Sequence, residues 1–444
     1  MLLNFIGSKG TASVPAPKVP EEKVVERRVY VKVFWHIVPF LILCYVISYL
    51  DRVNIAFAKL QMQQNRGFSE TVFGLGAGIF FLGYFVFGLP SNLLMVKIGG
   101  RNWIGRTMIA WGLLSASFIF LKTPASYYVL RFLLGAAEAG FYPGAILYLT
   151  YWFPAHRRAR IVALFVSAIP VAGIFGNPLS GWIMGASNGL LGMEGWQWMF
   201  LLEATPAVVA GTAAFFVLDD DIAGATWLTA GEKTFLAAEI RADSGVPRPK
   251  SASGLLRNGY LWLMCLIYFA IVMGQYGLTF WMPTLVKTTG VKGMLHIGLL
   301  SAIPFVCAVV AMNLCGRSSD AMRERRWHVI VPAAAAALGF VVAASYPYST
   351  AVSLVFLSLA AAGVLTCTAL FWSLPTSLLS GTAAAAGIAV INSVGNLAGF
   401  LSPSLIGYLK DATQRNEYGM FALAAVLLCG AFMVWTIPAK LVNR

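Results

Sequence analysis

Charge is what this sequence has least of. Only 11% of its 444 residues are charged and 59% are hydrophobic, whereas water-soluble domains carry about 25% charged residues. That balance excludes an ordinary soluble domain. Paired metal- or disulfide-type cysteines are missing too. Cys44, Cys265, Cys307, Cys315, Cys367 and Cys429 lie in or at the ends of apolar runs without any CxxC spacing, so they read as free thiols. His36, His156, His296 and His328 stand apart near run ends, and no HExxH, GxSxG or GxxxxGK[ST] occurs. Zinc hydrolysis, nucleophile-elbow chemistry and nucleotide binding therefore have no carrier. The chain is expected to be neither an enzyme nor a metal protein, and to need no cofactor. A secretory signal is absent as well: Pro15, Pro17, Pro20 and the charged EEKVVERR precede the first apolar run, which is itself too long for a signal core.

What is present is apolar length. Runs near the roughly 20 residues that cross a bilayer core of about 30 Å recur at 33–57, 72–95, 107–121, 127–153, 161–184, 198–218, 260–282, 297–315, 329–344, 351–372, 383–405 and 419–434. Twelve spanning helices are predicted, an all-α integral membrane protein in two six-helix bundles. The net charge of +14 would suggest nucleic acid in a soluble protein. Here the basic residues concentrate in alternate loops, with only Lys59, Arg66, Lys122, Lys287, Lys292, Lys410 and Arg415 in the others. Such asymmetry is the positive-inside pattern. It places both termini in the cytoplasm and leaves the lipid bilayer, not nucleic acid, as the partner.

Composition divides the chain into a cytoplasmic tail (1–32), a first bundle (33–218), a polar middle loop (219–256), a second bundle (257–437) and a short C-terminal tail (438–444). Within the loop, 229–241 reads as an amphipathic helix capped by Thr229 with Glu232 three residues on. The loop after run two, NLLMVKIGGRNW, echoes NLCGRSSDAMRERRW after run eight. Parallel-repeat transporters show halves related in this way.

Inside the runs a few charges stand out. Asp51 and Arg52, in VISYLDRVNIAF, each cost about 2.5–3.5 kcal/mol at mid-membrane, so chance retention is improbable. Neighbours in a helix point about 100° apart, so each needs a partner on another helix. Arg131 and Glu138 in the fourth run are seven residues apart and share a face. Small residues around the acid in GAAEAG allow close helix approach. One arrangement brings Asp51 to Arg131 and leaves Arg52 and Glu138 facing a central cavity. The bland alternative is that all four only lock two helices together.

Several stretches resemble a known family. Gly316, Arg317 and Asp320 in GRSSD resemble the cytoplasmic GxxxD loop signature of the major facilitator superfamily, and RFLLG from Arg131 resembles its fourth-helix signature. The first-half loop departs, with Asn92 and Val96 at the signature's ends and Lys97, Gly99 and Arg101 kept. YLDRVNIAFAKLQM, GYFVFGLPSNLL, RFLLGAAEAGFYPGAILYLTYWFPAHRRAR and GTAAAAGIAVINSVGNLAGF are similar to the anion:cation symporter family, in its tartrate and phthalate permease-like branch. The resemblance implies a multi-pass carrier of the bacterial inner membrane that imports a small organic anion with protons by alternating access. Many members of that family carry an acid where this chain has Gly88. Its sugar-acid carriers have a glutamine where this chain has Ile169, so a polyhydroxylated sugar acid fits less well.

For such a carrier, Arg52 with Arg131 in support is the expected carboxylate clamp, because a guanidinium matches a carboxylate bidentately. Asp51 and Glu138 are the expected proton sites, and the resemblance assigns acid and arginine roles to the same positions. Tyr49, Tyr84, Trp372 and Asn392 are further candidates for substrate contact, with Ser373 and Asn396 beside them, although packing or helix-to-helix bonding explains each as well. Glu203 is expected near the outer end in a solvated or structural role. GIFGNPLSG (173–181) reads equally as an exchanger-type signature or a kinked, close-packed helix. The proton is the only coupling ion, and a monomer is expected. Two rivals remain: exchange or export of an organic anion, and a non-transporting receptor on the same fold.

Overall fold

The structure is a computed structural model that describes residues 21–244, 257–378 and 382–443. Expectations for the first part of the N-terminal tail and for 245–256 of the middle loop fall outside the described residues. Among those described, no strand occurs and twelve helices are long and apolar enough to cross a membrane. In chain order, spans 1 to 6 are Glu26–Arg66, Glu70–Ile98, Gly100–Phe120, Pro124–Trp152, Ile161–Ala186 and Gly195–Val217. Spans 7 to 12 are Gly259–Thr288, Met294–Met322, Trp327–Ser345, Thr350–Ser377, Gly387–Thr413 and Glu417–Trp435. Helices satisfy every backbone group internally, which is why apolar runs of this length adopt them in lipid.

Side chains mark the starts. Ser69 accepts from the Val72 N–H ahead of span 2, and Thr123 with Ser126 closes a capping box around Pro124 at span 4. In the middle segment a helix runs Ala230–Ser244, with the Thr229 N–H donating to Glu232 at 2.8 Å. Four spans are interrupted: span 1 at Asn54, between Val53 and Ile55, span 4 between Glu138 and Phe141, span 5 at Ser167 and span 10 at 371–372. The first two interruptions adjoin the costly charges.

With twelve spans the two ends of the described chain, at 21 and 443, lie at one end of the molecule, here the termini end, and the other is the distal end. The two halves meet along spans 2 and 11 and along spans 5 and 8, where glycine permits backbone contact. A Cβ on Gly74 would overlap the Pro403 carbonyl, and one on Gly298 the Asn177 carbonyl. Among the described residues, the hydrogen bonds and ion pairs between the halves lie at mid-span or distally. At the distal end Asp411 accepts from the Glu70 and Thr71 N–H groups at 3.2 and 2.7 Å, Lys410 pairs with Glu70, and Lys287 donates to the Leu60 carbonyl at 3.3 Å. At the termini end spans 5 and 8 leave a cavity of about 820 Å³ lined by Phe34, Leu164 and Ser167 from one half and Asn313 from the other.

Four basic residues expected in the outer loops, Lys59, Arg66, Lys287 and Lys410, belong to helices instead. Span 1 continues to Arg66, span 7 to Thr288 and span 11 to Thr413. Lys59 is thereby fully buried, 2.5 Å from Glu70 and over the Trp281 ring, while Lys410 reaches the same Glu70. Paired in this way, both charges are tolerated beyond the point where hydropathy falls off.

Candidate substrate and proton site

Spans 1 and 4 cross at their interruptions and bring Arg52 onto Glu138. Arg52 Nε lies 3.1 Å from Glu138 Oε1, and Nη2 pairs with the same oxygen. Ser48, one turn earlier on the same face, donates to that oxygen at 2.6 Å. Glu138 Oε2 has no donor. The remaining arm of the guanidinium reaches across to the second half, where Nη1 lies 3.5 Å from the Tyr276 hydroxyl of span 7. Its carbon stands 5.1 Å from the Tyr84 ring centre, 5.3 Å from Phe80 and 5.9 Å from Tyr49. A cation over aromatic faces is favoured most where water is excluded. Both charged residues are buried, Arg52 6% exposed and Glu138 1%, so a pair of no net charge occupies the junction of the two halves.

The second half contributes neutral polar groups. Gln275 Nε2 lies 3.4 Å from the Tyr49 hydroxyl, and Gln275 Oε1 accepts from Thr368 at 3.0 Å. Half-buried Trp372 lies 4.8 Å from the Tyr268 ring. Asn392 and Asn396 are half-buried and make no hydrogen bond with described residues, while Ser373 bonds back to the Leu370 carbonyl at 2.7 Å. Ile169 packs on the cluster of Tyr49, Val53 and Ala172, so the wall there is apolar. Gly88 faces open space, with its carbonyl accepting from Asn92 at 3.1 Å.

Three expectations change. Asp51 does not meet Arg131: its oxygens accept from Trp111 Nε1 at 3.1 Å and Ser115 at 3.0 Å, both of span 3. Arg131 is fully buried against span 2, donating to the Gly76 and Ala77 carbonyls at 3.2 and 3.4 Å. The cause is packing. Gly135 sits on the Phe80 carbonyl and Gly83 on the Phe132 carbonyl, which presses the Arg131 face of span 4 into span 2, while the 100° step from Arg52 turns Asp51 into span 3. Glu203, expected near solvent, is 1% exposed and accepts from Ser180 at 2.6 Å. Gly316, Arg317 and Asp320 form no loop but the last turns of span 8. Asp320 accepts from Arg325 at 2.6 Å, and Arg317 points to the exterior.

Sequence reasoning missed Ser48, Gln275, Tyr276 and Thr368 at the junction, and Trp111 and Ser115 around Asp51. The signal for Gln275 was there: a lone amide between glycines, MGQYG, in an apolar run has to find partners.

Twelve spans in two halves, with a charged pair at mid-span where the halves meet, define a membrane transporter rather than an enzyme. Residues 41–403 match the Major Facilitator Superfamily, and the chain belongs to that family. It is 44% identical to a Pseudomonas putida protein named "Putative metabolite transport protein NicT", over 94% of this chain and 96% of that one. It is 46% identical to an Agrobacterium vitis protein named "Putative tartrate transporter", over 92% and 91%. In fold it is similar to a D-xylose-proton symporter, with a TM-score of 0.73 at 15% identity over 92% of this chain and 98% of that one.

Proposed function

We propose that the chain imports a small organic anion by proton symport with alternating access. The observation that carries this reading is the buried Arg52–Glu138 pair at the junction, with a free carboxylate oxygen and a guanidinium arm turned to the other half. An incoming carboxylate competes with Glu138 for the planar fork of Arg52. Once displaced, Glu138 has lost its counter-charge in a dry site, and a proton restores neutrality. Loading of anion and proton thus become one event, and the loaded junction crosses without net charge from this pair. Asp51, with two neutral donors, is the second proton site in this reading. Arg131 acts on the clamp only indirectly, by fixing span 2 and its Phe80 and Tyr84 beside Arg52.

The ligand class is a carboxylate, tartrate- or phthalate-like. A relative bears the name of a tartrate transporter, and rings of Tyr49, Phe80, Tyr84 and Tyr276 surround the clamp. The arginine bias of the loops and the bacterial relatives favour an inner membrane with cytoplasmic termini. In that orientation the distal seam is the periplasmic side, closed in this state. A single chain holds the whole site, so a monomer suffices.

Right-side-out vesicles test the proposal. An inward pH gradient should concentrate radiolabelled tartrate or phthalate, and collapsing the gradient with a protonophore should abolish accumulation. Uptake that ignores the gradient, together with exchange against a preloaded anion, would replace symport by antiport.

A further inference from the structure

Behind the Arg52–Glu138 pair lies a second polar cluster, of which the transport reading uses only Asp51. Asn54 interrupts span 1, one turn beyond Asp51 on the same face, and its buried amide makes no hydrogen bond of ordinary geometry. Glu203 of span 6 faces this break, with the Asn54 amide as its neighbour on span 1. Its Oε1 accepts from Ser180 at 2.6 Å, and its fully buried Oε2 receives no hydrogen bond of ordinary geometry.

No cation pairs with either Glu203 or Asp51 among the described residues. Span 1 presents Asp51, span 5 presents Ser180, and span 3 presents Trp111 and Ser115 to Asp51. Beyond the break, Lys59 is engaged by Glu70, and Arg66 lies over Trp196, two turns from Glu203 along span 6. The two carboxyls are unequally provided: each Asp51 oxygen receives a hydrogen bond, but only one Glu203 oxygen does. A carboxylate is favoured by donors on both oxygens, whereas a carboxylic acid tolerates an oxygen without one. Asp51 lies within electrostatic reach of Glu203 and, less strongly, of Glu138, which Arg52 already pairs; two uncompensated anions in one dry interior repel, so such neighbours titrate as a unit.

We propose that Glu203 is a third proton-bearing carboxyl, which with Asp51 forms a store holding one proton between them, resident on Glu203 in this state. When the store loses its proton, the O–H bond on Glu203 breaks, the proton leaves to water and both groups are left charged. That state requires water to enter at the Asn54 break, so emptying the store is tied to opening of span 1. The link to coupling rests on the proton-symport reading; the proton on Glu203 does not.

Infrared difference spectroscopy of the reconstituted protein reads this directly, without any transport. At neutral pH a protonated-carboxyl C=O band should be present, disappear in Glu203→Gln and return in Glu203→Asp. Ser180→Ala should move the band to higher frequency without removing it, which keeps the test usable should Glu203→Gln not fold. Loss of a carboxylate band instead, with the protonated region unchanged, would overturn the assignment. For the coupling role, the pH profile of anion uptake should shift in Glu203→Gln while exchange at equal pH persists. A superimposable profile with the infrared band lost would leave Glu203 a buried acid with no part in the cycle. Absence of gradient-driven uptake in the parent itself would count against symport, not against the proton on Glu203.

Discussion

The two halves share a fold but divide the chemistry. In the first half Asp51, Arg52, Lys59, Arg131, Glu138 and Glu203 are all buried, whereas the buried polar residues described in the second half are neutral, among them Gln275, Thr279, Ser301 and Ser402. Intramembrane charges are costly and mark function by default. The difference therefore assigns charge matching to the first half and leaves shape and hydrogen bonding to the second. The halves meet at Arg52 with Tyr276 and at Tyr49 with Gln275, so in the proposed reading a substrate on the arginine would touch both, which would give its occupancy a direct route to the angle between the bundles.

The comparison breaks most sharply at Arg52. Removing the guanidinium leaves Glu138 buried without its counter-charge and removes the only fork at the junction among the described residues. Arg52→Ala should weaken anion binding by at least about 30-fold, in line with the roughly 2–5 kcal/mol lost when one partner of a buried charged pair is truncated. Isothermal titration on detergent-solubilised protein checks this. On the neutral side, Gln275→Leu deletes the amide between Tyr49 and Thr368. One neutral hydrogen bond contributes about 1 kcal/mol, so binding should weaken roughly fivefold and the order of preferred acids should change, measured by competition against one labelled acid. If Gln275→Leu proved more damaging than Arg52→Ala, the division of labour between the halves would be reversed.

How much of this was legible in the sequence follows from which forces act locally. The twelve spans were readable because lipid imposes length and apolarity on every crossing segment. Arg52 and Glu138 were readable because their cost is paid wherever they sit in a span. The partner of Asp51 was not readable. Which way a helix face turns is fixed by the backbone contacts of Gly83 and Gly135 with the neighbouring span, and those are long-range. Lys59 and Lys410 were misread as loop residues because charge was treated as the end of a span, when both pair with the one Glu70 carboxylate across sequence, with Asp411 close by.

That same cluster gives a smaller effect. Lys410 is partly solvent-exposed, so its pair with Glu70 is screened and contributes on the order of 1 kcal/mol. Lys410→Ala should raise the distal-open population a few-fold, seen as faster labelling of a near-isosteric Ser404→Cys, whose parent hydroxyl reaches the Gly74 carbonyl across the seam. An unchanged labelling rate would leave only the backbone contacts of spans 2 and 11 to hold the halves together.

Smallest is the effect expected at the termini end of the second half. Partial burial works to raise the Glu324 carboxyl. Hydrogen bonds from the Trp327 N–H, the His328 ring and backbone and the Asn443 amide outweigh it and hold the group below the ordinary glutamate range. A lowered value stabilises the folded form above the ordinary glutamate pKa, about 4.3, and that stabilisation is lost as pH falls through the lowered value. Below about pH 4 the Ala439–Val442 turn, tied to Glu324 through Asn443, should exchange its amide hydrogens faster, after correction for intrinsic exchange. Glu324→Gln should remove the acid dependence, and the first half should show none from this source.

Glu138→Gln tests the central claim most directly, because it keeps the shape of the side chain and removes its ability to exchange a proton. Gradient-driven accumulation of anion and equilibrium exchange of the same anion should be measured side by side in one proteoliposome preparation. Accumulation should vanish while exchange continues at a rate within several-fold of the parent. Concentrative uptake by Glu138→Gln equal to the parent would contradict the claim that the Arg52–Glu138 pair couples anion to proton.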